Sequence, residues 1–315
     1  MSQRRDIGAM FGAAATDTFL GLESAGDLAA LEAKIAILGA PGATPYASVG
    51  SYCAGAPRAI RESIAGYAAN LQHFDFDLGG PIFPGAVSAV DAGDLACTSA
   101  DHGANRAAIR QAVTTVLERG AVPIVIGGDD SVPIPVIEAF QGRGPVTIVQ
   151  IDAHIDWRDE VGGERWGLSS TMRRASEMGH VERIVQVGQR ALGSARPGDF
   201  EDAKAWGASF IPARAVHEHG IGPVIDAVPP GSQVLVTFDC DGLDPSIMPA
   251  VIGPAPGGLT YWQSIGILHG IAAKARLAGF DIVEFVPERD VAGLGALTAA
   301  RIVANVLGLV ARQAA

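Results

Sequence analysis

Cysteine and basic residues are both scarce in this chain of 315 residues. Its three cysteines, Cys53, Cys97 and Cys240, are odd in number and far apart in the sequence. They fit a reducing cytosol better than a disulfide framework. Lysine and arginine together number 23 against 34 acidic residues, which gives a formal net charge of −11. Such an acidic chain is a poor binder of nucleic acid or of an anionic membrane, although it suits cationic ligands.

Long apolar runs are missing as well. No stretch of about 18 apolar residues is evident, so we expect no membrane span. The amino terminus, Met-Ser-Gln-Arg-Arg-Asp, is basic but no clean apolar segment follows it, so we expect no signal peptide. Charged residues make up only 18% of the chain and hydrophobic residues 48%, which favours a large buried core over disorder. We therefore expect a soluble, cytoplasmic globular protein.

Short apolar, β-branched segments alternate with helical patterns along the chain. This alternation, with its short connections, predicts an α/β fold in which helices cover both faces of a mostly parallel sheet. No linker, repeat or low-complexity segment is evident, so we expect one domain over residues 1–315, with residues 1–30 as an irregular N-terminal arm. Towards the carboxyl end, Thr260 is expected to cap a long helix that ends shortly before Gly279, and a strand is expected over Asp281–Val286.

One apolar strand is followed by three potential metal ligands. The segment Val146–Ile151 is apolar and β-branched, and Asp152, His154 and Asp156 follow it at every second position. At strand spacing these three side chains point to one face. Carboxylates and imidazoles are ligands of divalent first-row metal ions. Taken alone, the motif could also be the start of a solvated loop.

Two further apolar strands end in acidic residues. Val234–Phe238 leads into Asp239 and Asp241, and Val122–Ile126 leads through two glycines towards Asp130. In open parallel sheets ligands bind beyond the carboxyl ends of the strands, so the three motifs predict one shared site. Taken alone, Asp130 could instead cap a helix, and the other motif could form a turn that its own backbone satisfies.

Together, these motifs bring five carboxylates and one imidazole to a single edge of the sheet. Carboxylates this close repel each other strongly unless cations neutralise them. Two divalent ions about 3.5–4 Å apart would do so, and they could bridge and deprotonate a water molecule. The combination therefore favours a binuclear metal site over the separate structural interpretations.

The order and spacing of the motifs resemble those of the ureohydrolase family, which includes arginase, agmatinase and guanidinobutyrase. The resemblance extends over most of the chain, and the Pro-Gly-Gly-Leu-Thr stretch and the chain length are more similar to agmatinase than to arginase. The matching segments are Gly128-Asp129-Asp130-Ser131, Asp152-Ala-His154-Ile-Asp156, Ser170-Thr-Met-Arg-Arg174, Thr237-Phe-Asp239-Cys-Asp241-Gly-Leu-Asp244-Pro245, Pro256-Gly-Gly-Leu-Thr260 and Gly279-Phe-Asp-Ile-Val-Glu284-Phe-Val-Pro287.

This resemblance implies a three-layer α/β/α arginase-like fold and a centre of two divalent ions, Mn²⁺ first and Ni²⁺ as the alternative. It also implies hydrolysis of a guanidinium group to urea and an amine, in a homotrimer or homohexamer. Asp152 and Asp239 would bridge the two ions. The remaining ligands would be His154 and Asp241 on one ion, and Asp130 and Asp156 on the other.

The resemblance also assigns two catalytic roles. Asp156 would orient the attacking hydroxide and pass its proton to the leaving amine. Glu284 would hold the guanidinium group through a charge-assisted bidentate pair. Taken alone, Glu284 could equally form an ordinary ion pair at the end of a strand.

Two positions depart from the family pattern. Asp130 stands where the family has a metal-binding histidine, and the extra oxygen ligand favours a hard ion such as Mn²⁺ over Ni²⁺ or Zn²⁺. Alternatively, the shorter side chain fails to reach, and that ion binds weakly or not at all. Aligning Arg173 and Arg174 with the family's double arginine puts Leu168 where a catalytic histidine is usual. A proton-relay imidazole would then be absent.

Three residues on the intervening segment, Trp157, Arg158 and Trp166, are predicted to shape the substrate pocket, although simple loop packing would also explain them. The favoured substrate is agmatine. Arg158 could instead pair with the carboxylate of guanidinobutyrate or guanidinopropionate, and it would repel the ammonium group of agmatine. A substituted guanidine is a further alternative. A different alternative is a catalytically poor ureohydrolase-like subunit, which the loss of two histidines suggests.

Overall fold

The computed structural model describes residues 16–315. In this part of the chain nine strands form one sheet, and every neighbouring pair is parallel. The strands are β1 (Glu23–Ser24), β2 (Ile35–Ala40), β3 (Ala89–Asp94), β4 (Val122–Gly127), β5 (Val146–Ile151), β6 (Val181–Val187), β7 (Ser209–Ile211), β8 (Gln233–Asp239) and β9 (Arg276–Val283). They lie in the order β1-β3-β2-β4-β9-β8-β5-β6-β7. The predicted α/β fold with a parallel sheet is confirmed.

Helices cover both faces of the sheet. They are α1 (Ala56–Ile64), α2 (His102–Glu118), α3 (Pro133–Glu138), α4 (Thr171–Ser176), α5 (Pro197–Trp206), α6 (Ala213–His219), α7 (Gly222–Ala227), α8 (Tyr261–Lys274) and α9 (Leu294–Ala314). Helices α1 and α6 to α9 bury their apolar residues in one hydrophobic cluster, and α2 to α5 bury theirs in another. The sheet lies between the two clusters, which gives the three-layer arrangement.

The strands contribute to both layers because successive side chains of a strand point to opposite faces. In β8, Val234, Val236 and Phe238 belong to the first cluster, whereas Leu235 belongs to the second. All four side chains are fully buried. A strand covered on both faces has a continuous apolar sequence, and this is the signal by which the sequence identified β8.

The predicted N-terminal arm is wrong for the described residues 16–30. Phe19 and Leu20 are buried in the core, with exposed fractions of 0% and 2%. The short strand β1 pairs with β3 and extends the sheet by one strand. The backbone N–H of Phe19 also donates to the buried carboxylate of Asp91, at 2.7 Å. The rest of the predicted arm, residues 1–15, lies outside the described residues.

The carboxyl-terminal boundary between helix and strand differs from the prediction. Thr260 does cap α8, in a capping box with Gln263, but the helix ends at Lys274 and β9 starts at Arg276. Gly279 lies inside β9 and is not a helix cap. A Cβ atom there would lie 2.9 Å from a methyl carbon of Leu235, so the glycine allows close packing of neighbouring strands.

The prediction that the chain has no long apolar run is wrong for helix α9, which is long and apolar enough to cross a membrane. In the fold, 83% of its most apolar window is buried. It packs against α1 and α8 and contributes a large share of the first hydrophobic cluster. Helix α9 is therefore a core helix of an α/β fold of the kind found in soluble enzymes.

Candidate metal centre

The carboxyl ends of four adjacent strands meet at the middle of one sheet edge. Strands β4, β9, β8 and β5 are neighbours in this order. The acidic residues at or just beyond their ends are Asp130, Glu284, Asp239 and Asp152. Because parallel strands end at the same edge, motifs that are far apart in the sequence converge here. The strand order thus assembles a cluster that no single segment contains.

Two groups of potential ligand atoms lie in this cluster. The ligand atoms of Asp152, His154 and Asp241 lie within 4.8 Å of one another, and so do those of Asp130, Asp152 and Asp239. Asp152 belongs to both groups, which is the arrangement expected of a residue shared by two ions. Asp239 belongs only to the second group, so its predicted bridging role stays a prediction.

His154 lies between two carboxylates. Its Nδ1 atom is 3.0 Å from Oδ2 of Asp241 and 3.4 Å from Oδ1 of Asp152. Burial lowers the pKa of His154, but the hydrogen bonds and charges of Asp152 and Asp241 outweigh this effect and raise it to about 12. An imidazole held in this way reports a strong local excess of negative charge.

Asp152 and Asp241 share His154 as their cationic partner, whereas Asp130 and Asp239 have no ion pair within residues 16–315. Burial raises the pKa of Asp130, Asp152 and Asp239, and the neighbouring carboxylates raise each further. Burial also raises the pKa of Asp241, but His154 more than reverses this and the net shift is downward. Among residues 16–315, Oδ2 of Asp130 is a buried acceptor without a hydrogen-bond partner. Such an oxygen-rich set with an unused acceptor fits hard divalent cations.

A glycine positions Asp130 at the sheet edge. A Cβ atom on Gly128 would lie 2.1 Å from the carbonyl oxygen of Pro41, so only glycine allows the two backbones to approach this closely. Asp129, the other acid of the motif, serves the turn itself, since its Oδ1 accepts a hydrogen bond from the backbone N–H of Ser131 at 3.1 Å. Asp130, the next residue, lines the cavity above the cluster.

Asp156 lies beside the two groups without belonging to either. Its φ angle of 48° places it in the left-handed region, which aspartate tolerates better than most residues. Its Oδ2 accepts a hydrogen bond from Nε2 of Gln150, at 2.7 Å. Gln150 could not be recognised from the sequence, because a glutamine inside an apolar strand carries no recognisable ligand signal.

Glu284 follows β9 and is 3% exposed. Its φ angle is 66°, an uncommon value for glutamate, and its backbone N–H donates to the carbonyl oxygen of Gly128 at 2.8 Å. Its Oε1 accepts hydrogen bonds from the Tyr52 hydroxyl at 2.6 Å and from the Asp130 backbone N–H at 2.9 Å. Burial raises the pKa of Glu284 to about 8. Sequence reasoning missed Tyr52, which lies in an irregular loop.

A cavity of about 320 Å³ opens above the cluster. Its floor contains the predicted metal ligands, except the fully buried Asp152, together with Glu284. Among the described residues His154 is the single histidine in its lining, and Leu168 lines it where the predicted alignment loses an imidazole. Three further charged residues line the cavity, Arg158, Arg196 and Asp199, and we call this part of the lining its mouth. The cavity therefore has an acidic floor and a mixed, partly cationic mouth.

Of the two tryptophans predicted to shape the substrate pocket, Trp157 borders the cavity and Trp166 does not. Trp157 borders the cavity but is only 2% exposed, and its indole N–H donates to Oε1 of Gln186 at 2.8 Å. Trp166 is not among the residues that line the cavity. The guanidinium group of Arg106 lies over the Trp166 ring, 5.2 Å from its centroid. The geometry thus gives Trp166 a packing role in its loop.

The arginase family model matches residues 33–308. The chain belongs to the arginase family. Guanidinobutyrase of Pseudomonas aeruginosa is 31% identical over 228 residues, which cover 70% of this chain and 71% of that relative. Agmatinase of Pyrococcus horikoshii is 29% identical over 276 residues, with coverage of 85% and 90%. The solved structure of proclavaminate amidino hydrolase from Streptomyces clavuligerus superimposes with a TM-score of 0.80 and 26% identity, over 95% of this chain and 98% of that one.

Family membership establishes the kind of chemistry. Arginase-family enzymes are hydrolases that act on the guanidino or amidino group of small molecules, and they use a binuclear metal centre. This arginase-family chain is accordingly an amidinohydrolase. Its buried aspartate and histidine groups can bind metal ions. Its relatives differ in the substrate named for each of them.

Proposed function

We propose that this amidinohydrolase releases urea from a small guanidino acid, a molecule with a guanidinium group at one end and a carboxylate at the other. One observation carries the proposal. Arg158 lines the same cavity as Glu284 and the carboxylates of the floor. Within residues 16–315 its backbone N–H donates to the carbonyl oxygen of Ser169, but its guanidinium group has no ion pair or hydrogen bond. A guanidinium group then binds at the acidic floor and a carboxylate binds at Arg158.

The other two charged residues of the mouth are consistent with a substrate that places its carboxylate beside Arg158. Arg196 pairs with Asp199, with 2.8 Å between Nε and Oδ2, so these two charges largely cancel. Of the three charged residues of the mouth, Arg158 is then the one whose charge no neighbour of opposite sign cancels. It favours an anionic tail and repels the ammonium group of agmatine.

Agmatine is the second candidate, and Asp199 is the observation that favours it. Its carboxylate lines the mouth, and its partner Arg196 has a side chain that is 55% exposed. An exposed ion pair of this kind is weak. If the arginine swings into solvent, Asp199 can pair with an ammonium group. Agmatinases are also among the relatives.

The residues that would hold the metal ions are Asp130, Asp152, His154, Asp156, Asp239 and Asp241. Mn²⁺ suits this oxygen-rich set best, since Ni²⁺ and Zn²⁺ prefer more imidazole. When bound, the two ions neutralise the carboxylates and lower the pKa of a water molecule for attack on the guanidinium carbon.

The protein's own groups bind the substrate and move a proton. Oε1 of Glu284 already accepts two hydrogen bonds, so Oε2 is the oxygen that accepts from the substrate guanidinium. Asp156 lines the cavity and would take up the proton that the attacking water loses and pass it to the leaving amine. Leu168 provides no imidazole to assist, so Asp156 carries this role alone.

We also propose the wider properties that accompany this function. The chain acts as a single domain and assembles into a homotrimer or homohexamer. Its free cysteines, Cys53, Cys97 and Cys240, suit the reducing conditions of the cytoplasm.

The proposal is tested on protein reconstituted with Mn²⁺ or Ni²⁺. Metal content is measured by mass spectrometry, and urea release is measured with guanidinobutyrate, guanidinopropionate, agmatine, arginine and free guanidine. About two ions per chain and the highest kcat/KM with a guanidino acid are expected. A preference for agmatine selects the second candidate. Bound metal without urea from any of the five compounds contradicts the catalytic assignment and favours a non-catalytic subunit.

A further inference from the structure

A buried tryptophan sets the polarity of a chain of hydrogen bonds that ends at the candidate metal centre. Trp157 is 2% exposed, and its Nε1–H donates to Oε1 of Gln186 at 2.8 Å. An indole nitrogen can only donate a hydrogen bond. The carbonyl oxygen of the Gln186 amide must therefore face Trp157, and its NH₂ group must face away.

The two glutamines then transmit this polarity towards the acids. Nε2 of Gln186 donates to the carbonyl oxygen of Ile155 at 2.9 Å and to Oε1 of Gln150. Because Gln150 accepts through its oxygen, its NH₂ group faces the carboxylates. It donates to Oδ2 of Asp152 at 2.6 Å and to Oδ2 of Asp156 at 2.7 Å. Every N–H of the two amides has an acceptor.

Burial leaves this arrangement without an alternative. Gln150 is 1% exposed and Gln186 is 0% exposed, so water cannot replace a lost partner. If the Gln150 amide were flipped, its oxygen would face the carboxylates of Asp152 and Asp156. If the Gln186 amide were flipped, its oxygen would face the amide oxygen of Gln150. Both arrangements leave buried donors unpaired, which is unfavourable because each such group loses its hydrogen bonds to water and gains none in the protein.

We infer that Trp157, Gln186 and Gln150 form a one-way relay of donors that positions the carboxylates of Asp152 and Asp156 for metal binding. Each carboxylate accepts from Gln150 through one oxygen, which fixes the orientation of the other. The inference rests on the metal centre of the proposed function. It also changes the role expected of Trp157, which acts as a positioning residue through its indole N–H and not as a substrate contact.

The chain offers a matched control for this hydrogen bond. Trp206 donates its indole N–H to the carbonyl oxygen of Ser176 at 2.9 Å, and its ring lies 6.1 Å from that of Trp157. It has no hydrogen bond to either glutamine. Trp157→Phe and Trp206→Phe therefore remove the same chemical group from neighbouring sites, but only the first interrupts the relay.

The test measures Mn²⁺ affinity by titration calorimetry on the metal-free full-length protein. We expect Trp157→Phe to weaken Mn²⁺ binding by about 10- to 100-fold, which is the range for outer partners of metal ligands. Gln150→Met keeps the side-chain volume but removes both donors, and it should weaken binding at least as much. Trp206→Phe should bind Mn²⁺ as the wild type does.

Unfolding temperatures of the metal-free variants separate positioning from simple structural support. A purely structural role predicts that both tryptophan variants lose similar stability and keep wild-type Mn²⁺ affinity, and that result would overturn the relay. Wild-type protein that binds Mn²⁺ but releases no urea contradicts the proposed function, while the affinities of the variants still decide the relay. Wild-type protein that binds no Mn²⁺ overturns both.

Discussion

Tyr52 donates a 2.6 Å hydrogen bond to Oε1 of Glu284, which lies 232 positions further along the chain. The backbone N–H of Asp130 donates to the same oxygen at 2.9 Å. Since a carboxylate oxygen has two acceptor positions, Oε1 is fully used and Oε2 remains for a substrate. The bidentate contact expected from the sequence would require one of these two donors to leave.

Replacing Tyr52 with phenylalanine should impair the use of guanidino substrates. A hydrogen bond to a charged group contributes about 1.5–3 kcal/mol, so we expect Tyr52→Phe to lower kcat/KM by about 10- to 100-fold. Mn²⁺ affinity should stay within about twofold, because Tyr52 donates to Glu284 and not to a proposed ligand. Tyr261→Phe is the control, since its hydroxyl donates to Asp77 and neither residue lines the cavity. Equal kinetics for both variants and the wild type would remove Tyr52 from the site.

Replacing Arg158 with glutamine should change which substrates are preferred. We expect Arg158→Gln to raise KM for a guanidino acid by about tenfold or more, because a charge-assisted contact is lost. Hydrolysis of free guanidine, which has no tail, should not change. Arg196→Gln is the contrast, since it frees Asp199 and should improve agmatine binding only. An unchanged KM for guanidino acids in Arg158→Gln would argue against recognition of a carboxylate.

Asp239→Asn should abolish activity, because it removes a ligand from the group formed with Asp130 and Asp152. We expect less than about two bound ions per chain and urea release at least about 1000-fold lower. Asp244→Asn is the control on the following loop, where the carboxylate accepts hydrogen bonds from the backbone N–H groups of Ser246, Gly257 and Gly258 and does not line the cavity. It should bind metal normally. Near-wild-type turnover of Asp239→Asn would contradict a binuclear site.

Asp130→His should shift the metal preference. Imidazole replaces a carboxylate, so affinity for Ni²⁺ and Zn²⁺ should rise relative to Mn²⁺. Metal content and urea release are measured after reconstitution with each ion. If neither changes, the unpaired Oδ2 of Asp130 does not face an ion, and Asp130 is not a ligand.

Asp281 should make stability depend on pH. Burial raises its pKa from 3.8 to about 8, although the hydroxyl of Thr237 donates to it at 2.7 Å and lowers it. The folded state therefore holds a proton that the unfolded state releases. This contribution to stability is complete below pH 4 and is lost as pH rises to about 8, by at most about 1.4 kcal/mol per pH unit.

Asp281→Asn cannot ionise and should lack this dependence. Its free energy of unfolding in urea, measured from pH 5 to pH 8 beside the wild type, should rise relative to the wild type as pH increases. A difference between the two proteins that stays constant over this range would mean that Asp281 does not titrate there.

The sequence correctly predicted those features that the residues of a single segment specify by themselves. Apolar runs such as Val146–Ile151 identified strands with the observed bounds, because strands covered on both faces are apolar throughout. Acids directly beyond three such runs predicted convergence, because parallel strands end at one edge. The predicted boundary between helix α8 and strand β9, near Gly279, was wrong. A glycine that permits close strand packing looks the same in sequence as one that caps a helix.

The sequence by itself thus determined the parallel α/β architecture, the acidic edge and the family. Only the tertiary structure decided which partners hold the site in place. Tyr52 reaches Glu284, and Trp157 orients the two glutamines behind the carboxylates, through contacts between residues distant in the chain. Such contacts leave no periodicity or spacing in a single sequence, because a lone tyrosine, tryptophan or glutamine acquires its role from the strand order that surrounds it.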